Sequence, residues 1–237
     1  MRLFLIPLLF LTIGCQASNN DDTVAPPDLV EEVKYDTTGV LFKSYNGLVM
    51  AGYQGWFTAE GDGAGRGWHH YQKNGKFEPG SASIDFWPDV TDYSKTYNTA
   101  FKYATGQAAK VYSPYDEESV DLHFKWMKEH DIDGVYMQRF VSEVKGESGK
   151  NHFNKVLQNA LKASKKYGRA ISIMYDLSGS TSADMDFIVK DWEELQKLFK
   201  LFDNKENPTY LRHNGRPLVA IWGVGFNDGR KYTIADI

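Results

Sequence analysis

The sequence predicts an α/β fold of the (β/α)8 TIM-barrel type, of which about the first five βα units are present. Three observations carry this expectation. Apolar runs rich in Val, Ile, Met and Tyr recur at 48–53, 108–112, 133–138, 169–175 and 217–222, and strands apolar throughout belong to sheets covered by helices. From 108 onward, segments with a helical apolar period separate the runs, which is the alternation of a parallel sheet. Each run also ends in groups capable of chemistry: GYQGWF at 52–57, YMQRF at 136–140, IMYDLSG at 173–179 and AIWGVGF at 220–226. A barrel keeps its functional side chains at those strand ends. A doubly wound nucleotide fold would instead need a glycine-rich phosphate turn and a helix after the first strand, and GYQGWF supplies neither.

Taken in order, residues 1–15, MRLFLIPLLFLTIGC, combine one Arg, a short apolar run and the lone cysteine, Cys15. The run is too short for a spanning helix and reads as a signal peptide. TIGC resembles a bacterial lipobox, which predicts lipidation of Cys15 and a partner membrane reached through a lipid anchor. Residues 16–37, polar and containing Pro26-Pro27, read as a flexible tether, and 38–237 as the barrel-type domain. A helix is expected over 116–131, with Asp116 as N-cap and Val120, Phe124 and Met127 on its inner face. A second, over 151–167, aligns Phe153, Leu157 and Leu161 and stops at Gly168. A third, over 184–202, carries Phe187, Trp192, Leu195, Leu198, Leu201 and Phe202. The closing KYTIADI reads as the start of a further helix, so the given sequence stops part-way round a barrel.

A net charge of −4, without dense Lys or Arg clusters, argues against nucleic acid as a partner. Aromatic residues make up 14% of the chain, many beside glycine or polar residues, which suits a polysaccharide or oligosaccharide partner: ring faces stack on sugar C–H surfaces while amides, carboxylates and imidazoles bond the hydroxyls. The long insert after the first run, unusually rich in Gly, Asp and aromatics, offers Trp68, His69, Asp85 and Trp87; the alternative for both tryptophans is that they pin the loop to the barrel. The strand ends add Tyr53, Gln54, Trp56, Gln138, Arg139, Tyr175, Asp176 and Trp222. Arg139 serves equally as a sugar ligand or as half of a wall-spanning ion pair. Asp176, at a strand tip, is the candidate catalytic carboxylate, its alternative being to cap the following turn. No cofactor is expected. No metal site is expected either, because His69 and His70 are adjacent, neighbours rarely face one ion together, and no further His or Cys cluster supports them.

Together GLVMAGYQGWF, GWHHY, IDFWPDV, LHFKWMKEHDIDGVYMQRF, ISIMYDLSG and GRPLVAIWGVGF resemble the glycoside hydrolase family 71/99-like proteins of Bacteroidetes, related to the family 99 endo-α-mannosidases. The resemblance runs from about residue 39 to 237. It implies a barrel with its glycan cleft at the strand C-termini and hydrolysis of glycosidic bonds by a lipid-anchored protein of the bacterial outer membrane. The acidic SNNDD after Cys15 resembles the export tag of surface lipoproteins in that group. The family's catalytic pair sits in a late-barrel motif of the form Trp-Asn-(Asp/Glu)-x-x-Glu-Gly-Thr, which has no counterpart here. Two readings therefore stand: the N-terminal portion of a glycoside hydrolase-like enzyme, and a non-catalytic surface glycan-binding lipoprotein.

Overall fold

The structure is a computed structural model that describes residues 33–237. The leader with Cys15 and most of the expected tether lie outside the described residues. Lys34–Ile237 form a compact unit, which begins slightly before the expected boundary at 38. Tyr35 packs edge-on to Phe202 at 5.5 Å, and the Asn204 amide donates to the carbonyls of Asp36 and Thr38.

Four parallel strands make the main sheet: β1 (Met50–Tyr53), β4 (Gly134–Phe140), β5 (Ala170–Asp176) and β8 (Val219–Trp222), side by side in that order. Neighbours in space are thus successive along the chain. A doubly wound sheet reverses direction at a switch point, whereas a barrel wall does not. The helices follow the same logic. α1 (Glu117–Glu129), α3 (Glu147–Tyr167) and α4 (Met185–Phe199) each precede or link strands of the wall, and a short α2 (Val141–Val144) follows β4 directly. Val120, Phe124 and Met127 of α1 and Leu157 and Leu161 of α3 join Val135, Met137, Ile171 and Ile173 in one buried core. The side chains of alternate strand residues point to opposite faces, so this core occupies one face of the wall and the residues of the other parity, such as Gln138 and Asp176, occupy the opposite face. This is a partial (β/α) barrel wall.

Local chemistry sets the boundaries. Glu117 and Glu118 occupy the first turn of α1, where the helix dipole favours negative charge. Asp116 holds the N-cap position, yet its carboxylate binds Lys95 and the Tyr97 hydroxyl instead of capping the helix. α3 ends at Gly168 with φ 63°, the left-handed stop expected there. Gly134 lets β4 and β5 approach, since a Cβ on it would sit 2.3 Å from the Ala170 carbonyl oxygen.

One expected wall strand lies elsewhere. The 108–112 run forms β3 (Ala108–Val111), paired antiparallel with β2 (Tyr97–Lys102) in a hairpin separate from the wall. Half-buried Ala108 and exposed Lys110 alternate with buried Ala109 and Val111, the period of a one-sided sheet rather than of a strand covered on both faces. The last wall position is also composite. Residues 209–211 bond the lower half of β5, a small hairpin of β6 (Arg212–His213) and β7 (Arg216–Pro217) intervenes, and β8 continues along the upper half.

Candidate functional site

The wall face opposite this core carries a cleft of about 500 Å³ lined by Gly52, Gln54, Trp56, Gln138, Phe140, Met174, Asp176, Ser178 and Trp222. All lie at or just beyond the C-terminal ends of strands. Register explains the set: Gln138 pairs with Met174, Phe140 with Asp176, and Asp176 with Trp222, so these side chains share one face. Of the predicted residues, Gln54, Trp56, Gln138, Asp176 and Trp222 are brought together.

The same periodicity removes Tyr53, Arg139 and Tyr175 from the cleft. Each precedes or follows a cleft residue by one position and so points to the helix side. Tyr53 is buried against α1, packs on Phe124 and shares a 2.8 Å hydrogen bond between its hydroxyl and His123 Nδ1. Arg139 grips Asp191 of α4 with two parallel hydrogen bonds, Nε to Oδ2 at 2.6 Å and Nη2 to Oδ1 at 2.7 Å. The Tyr175 hydroxyl donates to the same Asp191 at 2.6 Å. Burial and the Asp191 charge push the Tyr175 hydroxyl well above its ordinary range, keeping it a neutral donor. The wall-spanning ion pair is therefore the role of Arg139.

The residues of the long insert divide likewise. Trp68 and Trp87 pack around Phe77, with ring centroids 5.3 and 5.8 Å from it, in a small core shared with Tyr71, Val111 and Phe101. They stabilise the loop and the hairpin, and neither reaches the wall cleft. Trp87 also borders a broader groove of about 920 Å³ over the hairpin, remote from the strand ends. Asp85 is exposed on the insert and lines neither space.

Within the cleft, Asp176 accepts from the Gln138 amide at Oδ2 and from the Ser178 N–H at Oδ1, 2.8 Å away. The second bond is the turn cap foreseen for it. The first holds the amide of β4 against the carboxylate of β5, so that acceptor and amide are presented side by side. Trp222 is about half exposed, at 47%, and offers an open ring face. Trp56 lies in a stack between Phe140, 4.9 Å away at 22°, and His70, 4.1 Å away at 15°, so its indole is held as a rigid panel of the cleft wall.

Behind that panel lies a group the sequence did not disclose. Glu143 of α2 accepts from Arg66 Nη2 at Oε2, 2.5 Å, with His69 Nε2 3.2 Å from the same oxygen and His70 Nε2 2.8 Å from Oε1. Burial alone would raise the Glu143 pKa, but hydrogen bonds from His69, His70 and Arg66 and the guanidinium charge outweigh it and hold the carboxylate ionised, far below its usual range. The adjacent histidines thus do face one point, contrary to the expectation from their adjacency. His70 takes a left-handed φ of 62°, which swings its ring to the side of His69. The only signal in the sequence was the place of Glu143, three residues past the tip of a wall strand.

No protein-family model matches the chain, and no curated protein matches it. Among solved structures it is similar to two of a GH99 endo-α-mannosidase from Bacteroides thetaiotaomicron. The one in complex with bis-tris-propane is 16% identical, with a TM-score of 0.47, the match covering 73% of this chain and 41% of that one. The other is 14% identical, with a TM-score of 0.48, covering 73% and 44%. The chain spans less than half the length of either.

Proposed function

We propose that the wall cleft binds a saccharide, as part of a glycoside hydrolase-like surface lipoprotein acting on glycosidic bonds of a polysaccharide or glycan. The observation that carries this reading is the convergence of the half-exposed Trp222 ring and the edge of Trp56 with the Gln138–Asp176 pair on one face of the wall. The Trp222 ring supplies stacking area at little conformational cost, and the amide and carboxylate supply a donor and an acceptor for vicinal hydroxyls.

The same geometry favours recognition over cleavage by these residues alone. Glycoside hydrolysis ordinarily needs two carboxyl groups about 5 to 9.5 Å apart, and among the described residues lining the cleft Asp176 is the one carboxylate. Glu143 is committed to three donors behind Trp56 and is held ionised, which unsuits it as a general acid. Asp176 is then a sugar-hydroxyl acceptor, and any second carboxylate must come from outside the described wall.

The test is calorimetric titration of the chain with manno-oligosaccharides and a panel of other plant and microbial polysaccharides, comparing wild type with Trp222→Ala and Asp176→Asn. Binding that weakens in both variants while melting stays unchanged supports the cleft. Binding retained in full by both variants, or no binding to any member of the panel, overturns it. The anchoring part of the proposal has its own readout, fatty-acid labelling of wild type but not of Cys15→Ser.

A further inference from the structure

We propose that His69, His70 and Glu143 form a binding site for one divalent transition-metal ion of the zinc class. The inference concerns the cluster behind Trp56 and stands whether or not the cleft binds a saccharide.

Convergence is the first observation. One ligand atom from each of the three residues lies within 4.8 Å of the others. Two ligands at zinc-like bond lengths in a tetrahedral array sit about 3.3 Å apart, and here His70 Nε2 is 2.8 Å from Glu143 Oε1 and His69 Nε2 is 3.2 Å from Oε2. The donor set is the second. Two imidazoles and a carboxylate suit zinc and its neighbours, whereas calcium and magnesium favour all-oxygen cages. Three protein ligands leave a fourth position for water or another small donor.

The third observation is that the cluster is built at a cost. A non-glycine residue at φ 62° is uncommon and strained, and such strain persists where the surroundings enforce it. They do so here. The His69 N–H donates to Thr58 Oγ1 at 3.1 Å, the Thr58 N–H donates to the His69 carbonyl at 3.2 Å, and the Ser83 hydroxyl holds the His70 carbonyl. The face of Trp56 fixes the His70 ring. The His70 imidazole is therefore positioned by a partner other than Glu143, and the backbone of His69 is pinned with its ring edge-on to His70 at 4.5 Å, as in a preorganised ligand pair.

Arg66 sets the arrangement of the loaded site. Its guanidinium and His69 Nε2 both meet Oε2, so an ion held by Oε1 and the two Nε2 lone pairs requires the His69 ring to turn from Oε2 toward Oε1, while Arg66 remains as the hydrogen-bonded support that ligating carboxylates usually have. Loading requires both Nε2 atoms to present lone pairs. The ring hydrogen then resides on Nδ1, and any imidazolium present releases a proton.

The experiment uses the untagged chain, stripped with chelator and titrated with zinc chloride by calorimetry, with zinc-edge X-ray absorption on the loaded protein. One zinc per chain with a first shell of two imidazole nitrogens and light oxygen scatterers is expected. His70→Ala and His69→Ala should each weaken binding at least tenfold, while Trp222→Ala, on the cleft side, leaves it unchanged. Absence of stoichiometric binding to wild type overturns the proposal. So does a shell containing sulfur, which would place the ion on Cys15, or undiminished binding in both histidine variants. Because the absorption spectrum is read on wild type, a variant that misfolds does not decide the matter.

Discussion

The two faces of the parallel wall carry nearly the same residue types to opposite ends. On the helix side, Arg139, Tyr175 and Asp191 form a closed set in which the carboxylate is met by three hydrogen bonds and excluded from solvent. On the cleft side, one residue earlier or later in each strand, Gln138 and Asp176 form a pair that borders the cleft beside Trp222, with Asp176 itself only 3% exposed. A polar group satisfied wholly by its neighbours locks elements together. One satisfied in part, at the edge of a cleft, is available to a ligand. Residue type does not distinguish the two cases, and strand parity does.

The comparison breaks most visibly at Asp191. Asp191→Ala leaves the buried Arg139 charge uncompensated and the Tyr175 hydroxyl without its acceptor, and should cost about 3 to 5 kcal/mol, read as a lowered denaturation midpoint. Asp176→Asn, on the other face, should cost far less. Equal losses would show that both carboxylates are structural and would dissolve the distinction.

Acid should act on the helix side next. His123, enclosed between the Tyr53 and Tyr93 hydroxyls, and His152, bonded to the Gly55 carbonyl, are both pushed down to about 4 by burial. Below the ordinary histidine value of about 6.5 the unfolded chain takes up protons that the folded chain refuses. Stability is thus full above that value and falls as pH drops toward 4, with a limiting slope of about 1.4 kcal/mol per pH unit for each histidine. Urea midpoints measured from pH 7 to pH 4.5 check this, and His123→Gln, if it folds, should remove roughly one proton from the slope. A flat profile would contradict the burial of both rings.

The smallest stability effect belongs to Trp222. Half exposed, its truncation to Ala should change stability by about 1 kcal/mol or less while weakening a stacked saccharide by roughly tenfold, about 1.4 kcal/mol. Trp56→Ala should lower stability more and weaken the saccharide only through the lost shape of the cleft wall, because both faces of that ring are packed, against Phe140 and His70. Differential melting alongside titration separates the two tryptophans; a Trp222→Ala protein that melts early yet binds normally would assign that ring to packing.

The alternation of strands and helices was legible because Val135, Ile171 and their neighbours make continuous apolar runs and Val120, Phe124 and Met127 repeat with helical spacing. The strand tips were legible for the same reason. Which tip residues face the cleft was not. A run such as VYMQRF gives no polar alternation to mark its faces, so Gln138 with Arg139, and Tyr175 with Asp176, were read as joint members of one site although adjacent strand residues point apart. The 108–112 run was misplaced because a short apolar run carries no record of its partner strand, and only a hairpin mate at 97–102 fixes its direction. Trp68 and Trp87 build a second small core inside the insert, a tertiary outcome that composition does not encode. Glu143 went unseen because its partners Arg66, His69 and His70 arrive from more than seventy residues away.

Gly149, in the first turn of α3, carries a consequence for that last group. A Cβ at this position would lie 2.2 Å from the Glu143 carbonyl oxygen, so no larger residue fits without displacing the end of α2. The two helices are seated flush, backbone against backbone, and the seat fixes where the Glu143 carboxylate projects. A single added methyl acts there as a wedge: it would tilt the short helix like a jammed hinge leaf and draw the acid out from between its two imidazoles. The aim of the carboxylate is thus set by a residue with no side chain, on a different helix, six positions downstream.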